Sequence, residues 1–308
     1  MKHFTLSATL LVFSLGYLFT MDTVLAQSQI GGSSNCEKTA KQMRQSCTFD
    51  IHDDFLETKA NCINIADAGE RRACEDEART SRREAFEVCA AQHEARLEAC
   101  EILGEDRYDP DPLLDPAIEF VNPDDINGDT VNPYVSLIPG HTFVIQAGEE
   151  AEETVVVNVT KESREISGVL CRVVVDIVVV AEEDDEDGGV DYVPVEVTDD
   201  WFAQDVDSNV YYCGEVARNY EDGVLVDIDG SFEAGKDFAK AGTLIKASPL
   251  VGDAHRQEFA LGEAEDIIQY VDSTAIPAEE NPAFPVPQAA VSRHSILRLS
   301  PLSLPEYK

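Results

Sequence analysis

The six cysteines between residues 36 and 100 are spaced as a palindrome, at intervals of 11, 15, 12, 15 and 11. Paired from the outside inwards as Cys36–Cys100, Cys47–Cys89 and Cys62–Cys74, the two residue numbers of every pair add to 136. Facing residues of an antiparallel hairpin share a constant sum. The spacing therefore predicts two helices folded back on each other and joined by three nested disulfides. The sequence between the cysteines agrees. From Cys36 to Leu103 there is no proline and a single glycine, Gly69, among abundant Ala, Glu, Arg and Lys, which are strong helix formers. Eleven residues at about 100° each bring Cys47 back to within roughly 20° of Cys36, and Cys62 drifts by roughly 80° beside the turn. Ser34 with Glu37 fits a capping box, Gly104 a C-cap, and Asp67-Ala68-Gly69-Glu70 the turn. Two helices alone bury little, and closing the outer loop stabilises by about 4 kcal/mol in the chain-entropy model. Intervals this wide contain no Cys-x-x-Cys pair of the kind zinc and iron–sulfur sites use.

Disulfides persist in oxidising compartments, and the N-terminus predicts delivery to one. Lys2 and His3 precede an apolar run over 4–19, and Val24-Leu25-Ala26 supplies small residues at a cleavage spacing. Residues 1–26 read as a secretory signal peptide, with a retained anchor as the alternative. No later segment is long and apolar enough to span a bilayer. The expected location is periplasmic or extracellular, without integral membrane association.

The net charge of −37 is unevenly spread. Residues 36–101 hold 10 Lys and Arg against 15 Asp and Glu, residues 102–276 hold 9 against 41, and the last 32 residues hold 3 against 3. A field this negative repels nucleic acid and anionic lipid. It suits divalent cations or cationic partners, or serves solubility alone.

These boundaries give a plan: a six-cysteine helical hairpin at 27–104, an acidic Asp/Pro linker at 105–133, an antiparallel β domain at 134–276, and a proline-rich irregular tail at 277–308. The fold class is α+β, a stapled antiparallel helical hairpin followed by an antiparallel β meander forming a curved sheet or partly open barrel. Candidate strands cover 142–147, 154–159, 169–180, 190–197, 201–204, 210–217, 224–228, 243–246, 257–261 and 266–271. Turns fall at Pro139-Gly140, Gly148-Glu149, Gly188-Gly189, Asp222-Gly223 and Asp229-Gly230. Cys171 and Cys213 both sit in predicted strands and are expected to pair.

Two loops carry metal-ligand spacing. Asp125, Asn127 and Asp129 form a D-x-N-x-D opening like that of a calcium loop, although Thr130 and Ser136 replace the glycine and closing acid. Asp205, Asp207 and Asn209 form a second set at a hairpin tip. Each reads equally as a plain acidic turn, and calcium is the one cofactor they suggest. No catalytic residue is singled out. The six histidines form no His-Glu-x-x-His motif, and there is no Gly-x-Ser-x-Gly elbow or phosphate loop. Acidic pairs are so common that they carry no information about acid–base catalysis.

Asn132-Pro133-Tyr134-Val135-Ser136-Leu137-Ile138-Pro139-Gly140-His141-Thr142-Phe143 resembles an NPYxPLxPGTxW motif. The run Asp200-Trp201-Phe202-Ala203-Gln204-Asp205-Val206-Asp207-Ser208-Asn209-Val210-Tyr211-Tyr212-Cys213-Gly214-Glu215 resembles DWYAQDxxGNVWYFGE. Both belong to a family of exported bacterial proteins of unknown function. The resemblance covers about 132–272 and implies fold and export, without an activity. Cys213 departs from an aromatic position, and residues 277–308 depart from the family's closing strands, which would leave an exposed sheet edge. The expected function is an exported, non-enzymatic acidic module that binds a protein or small-molecule partner, with a link to calcium. The alternatives are a cell-surface or matrix component that manages divalent cations, and a secreted hydrolase with dispersed carboxylates.

Overall fold

A computed structural model describes residues 34–146, 153–183 and 190–271, together with the short antiparallel pair 276–277 and 295–296. The expected leader, the turns at Gly148-Glu149 and Gly188-Gly189, and most of the 277–308 tail lie outside these residues.

Helices α1 (Asn35–Ile63) and α2 (Ala68–Leu103) form the hairpin. The capping box is present: the Ser34 hydroxyl accepts from the Glu37 N–H at 3.1 Å, and the Glu37 carboxylate accepts from the Ser34 N–H at 3.0 Å. Gly104 closes α2 in a left-handed conformation, with φ of 61°. The turn lies slightly earlier than the sequence suggests. The Asp67 carboxylate accepts from the N–H groups of Gly69 and Glu70, so it caps α2 and places Ala68 and Gly69 inside the helix. Cys36–Cys100, Cys47–Cys89 and Cys62–Cys74 are all bonded, with Cα separations of 5.7, 6.1 and 5.6 Å. The apolar filling between the helices is thin, with Ala40, Ile51 and Ala78 buried alongside four of the cysteines. The disulfides supply what this core lacks.

The remainder is a curled antiparallel sheet forming a half-barrel. Its main strands are β1 (Thr142–Gln146), β2 (Glu153–Ile166), β3 (Val169–Glu183), β4 (Val190–Gln204), β5 (Val210–Glu221), β6 (Val224–Asp227), β7 (Phe232–Glu233), β8 (Lys240–Ile245), β9 (Ala254–Arg256), β10 (Glu258–Phe259) and β11 (Ile267–Gln269). They pair in the order β1-β2-β3-β4-β5-β8-β10, with β6 and β7 also on β5, and β9 pairing with β11. Cys171 on β3 bonds Cys213 on β5 across the intervening β4, at a Cα separation of 6.7 Å. Alternate strands of a flat sheet lie about 10 Å apart, so this bond requires the curl. Strand alternation sends Val174, Phe202, Val210 and Tyr212 to one core and Cys171, Trp201, Ala203 and Cys213 to another.

Three expectations change. The separate strands expected at 190–197 and 201–204 are one strand. Thr198-Asp199-Asp200 looks like a break by propensity, but Asp200 accepts from the Tyr212 hydroxyl and Asp199 pairs with Arg218 at 2.7 Å. The strand expected at 257–261 is only the two-residue β10 (Glu258–Phe259), with β9 (Ala254–Arg256) just before it. Segment 105–133 is not a free linker: it forms tight turns at Pro112–Leu114 and Pro123–Asp125 and buries Leu113, Pro123 and Ile126 against the sheet.

Candidate functional site

Residues 102–276 contain nine cationic side chains, and eight of them contact a carboxylate: Arg107, Arg164, Arg172, Arg218, Lys236, Lys240, Lys246 and Arg256. In so acidic a region, the placement of a cation marks where the chain is fastened. Arg256, on β9, bonds Glu105 just beyond the end of α2 through Nε at 2.7 Å and through Nη2. Arg96, on α2, places Nε 3.0 Å from both Glu265 oxygens and Nη2 2.6 Å from Oε1. The Arg96–Glu265 pair is almost sealed, at 9% and 5% side-chain exposure. These two pairs fix the root of the hairpin to the half-barrel, and removing one partner of such a buried pair typically costs about 3–5 kcal/mol.

Beside them lies a pocket of about 530 Å³, within the range of about 300–1,000 Å³ usual for small-molecule sites. Ala40 and Met43 of α1, Ala99 of α2 and the Cys36–Cys100 disulfide form one wall, and Tyr108, Phe259 and Leu261 face them. Tyr108 stacks on Phe259 with centroids 5.0 Å apart, and the Arg256 guanidinium lies 5.2 Å above the Phe259 ring. The Tyr108 hydroxyl donates to the Ala241 carbonyl at 2.8 Å, and burial raises its pKa, so it stays a neutral donor. At the rim, Asp106 accepts from the backbone and side-chain N–H groups of Asn35, which hold its carboxyl below the usual range. Lys240 donates to Asp109 at 2.8 Å and to the Tyr108 carbonyl.

A second feature is a row of carboxyls on the half-barrel. Register places Asp200 opposite Val174 on β3 and Glu215 on β5, with Asp176 opposite Thr198. Burial raises the Asp200 carboxyl to about 7, with nearby Asp176, Glu196 and Asp199 adding to the shift and the Tyr212 hydrogen bond opposing it. Asp176 rises to about 6, first through burial and then through Glu196. Glu215 and Glu258 are raised by burial and by the neighbouring carboxyls. Asp200, Glu215 and Glu258 could hold protons at neutral pH, yet none of the four lines the junction pocket.

The structure brings the two metal-spaced loops next to each other and engages the side chains of Asp205, Asn127 and Asn209, while Asp125, Asp129 and Asp207 take part through backbone atoms. Asp205 is buried. Its Oδ1 accepts from the N–H groups of Asp207 (2.9 Å) and Asn209 (2.8 Å), and its Oδ2 accepts from Asn209 Nδ2 (2.8 Å) and the Tyr211 hydroxyl (2.9 Å). Asn209 Oδ1 accepts from the Ala247 N–H at 3.0 Å. In the other loop, Asn127 Oδ1 accepts from the Asp129 N–H at 3.0 Å, and Asn127 Nδ2 donates to the Asp125 carbonyl at 3.1 Å. Ser208 Oγ and Gln204 Nε2 donate to the Thr130 carbonyl, and Asn132 Nδ2 donates to the Ser208 carbonyl. Among the described residues, no group of three or more His, Cys, Asp or Glu side chains is gathered as a metal cluster. His255 is lowered to about 4 by burial, and its Nε2 lies 3.1 Å from the Tyr270 hydroxyl.

Sequence reasoning missed the junction residues Arg96, Glu105, Arg256 and Glu265. The scarcity of cations after residue 102 singles out Arg256; nothing in the sequence singles out Arg96, Glu105 or Glu265. Fold and site together define a disulfide-stapled helical hairpin fastened to an acidic β half-barrel, with a small-molecule-sized pocket at the joint. No family model, curated protein or solved structure matches the chain.

Proposed function

We propose that the protein is an exported, non-catalytic binding module whose ligand is a small molecule held between the hairpin and the half-barrel. The observation that carries this reading is the junction pocket, walled on one side by α1 and α2 and on the other by Tyr108 and Phe259. Its buried arginines are already neutralised by Glu265 and Glu105, so it offers a shaped apolar recess with committed charges rather than an unpaired base. Four disulfides suit an oxidising compartment, and no described helix is long and apolar enough to cross a membrane.

The test is a thermal-shift screen of oxidised residues 27–308 against a small-molecule library. A ligand at about 100 times its Kd adds about 2.7 kcal/mol, a shift of a few degrees. Thr39→Trp, which fills the pocket from the hairpin side, should abolish the shift. Compounds that stabilise both proteins equally, or a screen with no hits, would refute the reading.

A further inference from the structure

Nine charged side chains line the junction pocket, five basic and four acidic, in a chain holding 23 basic residues against 60 acidic. All four acids are engaged by donors. Glu265 accepts from Arg96 and from the Gly262 N–H at 2.8 Å, and Glu105 accepts from Arg256. Asp106 accepts from Asn35, and Asp109 accepts from Lys240. Three of the five cations are used in these contacts. The other two stand at the rim. Lys38 donates from Nζ to Asn35 Oδ1 at 3.3 Å and acts on Asp106 only through space, without a close ion pair among the described residues. Arg107 makes one long contact, at 3.5 Å, with an Asp106 that Asn35 already holds. The pocket thus has an apolar floor of Met43, Tyr108, Phe259 and Leu261, and at its mouth Lys38 and Arg107 share the single carboxylate of Asp106, whose Asn35 donors are neutral, leaving one net positive charge.

We infer that the ligand of this pocket is a small amphiphile with an apolar body and a single anionic head group, the body lying against Tyr108 and Phe259 and the head held by Lys38 and Arg107. This inference rests on the reading of the pocket as the binding site. The surrounding field opposes it: a chain of net charge −37 repels anions at long range. Local hydrogen-bonded contact at the rim must therefore exceed that repulsion. Added salt, which screens the distant field more than the close pairs, should then weaken binding little or even strengthen it.

Anilinonaphthalene sulfonate, an anionic aromatic whose fluorescence rises in apolar surroundings, is the probe, used on the oxidised full-length mature chain. Competitors are decanoate, decanol and decyltrimethylammonium, which share one apolar body and differ in head charge. The expected result is saturable probe binding, displaced by decanoate at a concentration at least about tenfold below that needed of the other two. Lys38→Glu with Arg107→Glu, both exposed positions, should weaken probe binding by about tenfold or more while the melting temperature holds. Equal displacement by all three competitors, or a charge-reversed variant that binds normally, would overturn the anionic assignment. If Thr39→Trp still abolished binding in that case, the pocket reading would stand. Binding that ignores both the charge reversal and Thr39→Trp would overturn the two together.

Discussion

Asp200 gives the sharpest energetic consequence of this fold. Its carboxyl lies on β4 at 6% exposure, bonded by Tyr212 and surrounded by other acids. Burial raises it from 3.8 to about 7. Between those values the folded chain keeps a proton that the unfolded chain has lost. The contribution to stability is therefore fullest below about pH 4 and falls as pH rises toward 7, then levels off. A rise of roughly three pH units at about 1.4 kcal/mol each amounts to about 4 kcal/mol, a large part of the roughly 5–15 kcal/mol that holds a domain together. Asp200→Asn removes the titration but keeps an oxygen that can accept from Tyr212. The stability of the variant relative to the parent should therefore grow by about 4 kcal/mol from about pH 4 to about pH 8. Urea midpoints and slopes measured at each pH give the difference. Comparing the two proteins at each pH cancels groups remote from Asp200. His255, lowered to about 4, pushes stability upward over part of the same range, and the general repulsion of a −37 chain pushes it downward, but both proteins carry those terms. A gap that stays constant with pH, or narrows as pH rises, would refute a buried, raised carboxyl at this position.

Replacing both Cys36 and Cys100 by Ser leaves the inner Cys47–Cys89 bond in place, so the lost constraint is a ring of about 24 residues rather than the whole hairpin, and chemical denaturation should show a loss of about 3 kcal/mol. Gly242→Ala should cost about 3 kcal/mol or more, because a Cβ on β8 would lie 2.0 Å from the Gln257 carbonyl oxygen next to β10, whereas Gly128→Ala, with nothing within 4 Å, should shift the thermal midpoint little. Calcium and magnesium should shift the melting temperature equally, since the oxygens of Asp205, Asn127 and Asn209 already accept hydrogen bonds; a rise specific to calcium in differential scanning calorimetry would restore those loops as ligands.

Much of this architecture is legible in the sequence wherever one physical rule acts alone. The constant sum of the cysteine pairs is a matter of geometry, and it yields the hairpin and its three bonds without any knowledge of packing. The Ser34–Glu37 box and Gly104 follow from backbone groups that every helix end must satisfy. Legibility fails where a tertiary partner outweighs a local preference. Asp199 and Asp200 look like a turn until Arg218 and Tyr212 are seen beside them. Asp67 looks like the middle of a turn until its carboxylate is seen capping α2. The linker reads as extended from its prolines, but Leu113 and Ile126 between those prolines are what bind it to the sheet. The junction is hidden for a further reason: Arg96 and Glu265 lie 169 positions apart, and nothing local announces that pairing.

The distribution of charge explains how so acidic a chain holds its two parts together. Cations are few after residue 102, and the structure places them at seams: Arg256 at the root of the hairpin, Arg172 between β3 and the turn at Asp124, Lys240 against Asp109 at the mouth of the pocket. Among the described residues Asp200, Glu215 and Glu258 form no ion pair, and burial raises them so that protons relieve their charge instead. Two kinds of neutralisation thus divide the molecule. Arginine and lysine fasten elements through ion pairs that hold while the partner carboxylates stay ionised, while the raised carboxyls form a row whose contribution to stability falls as pH rises. The junction pocket sits on the cation side of that division, which is why its floor can be apolar and its rim positive inside a protein that is otherwise strongly negative.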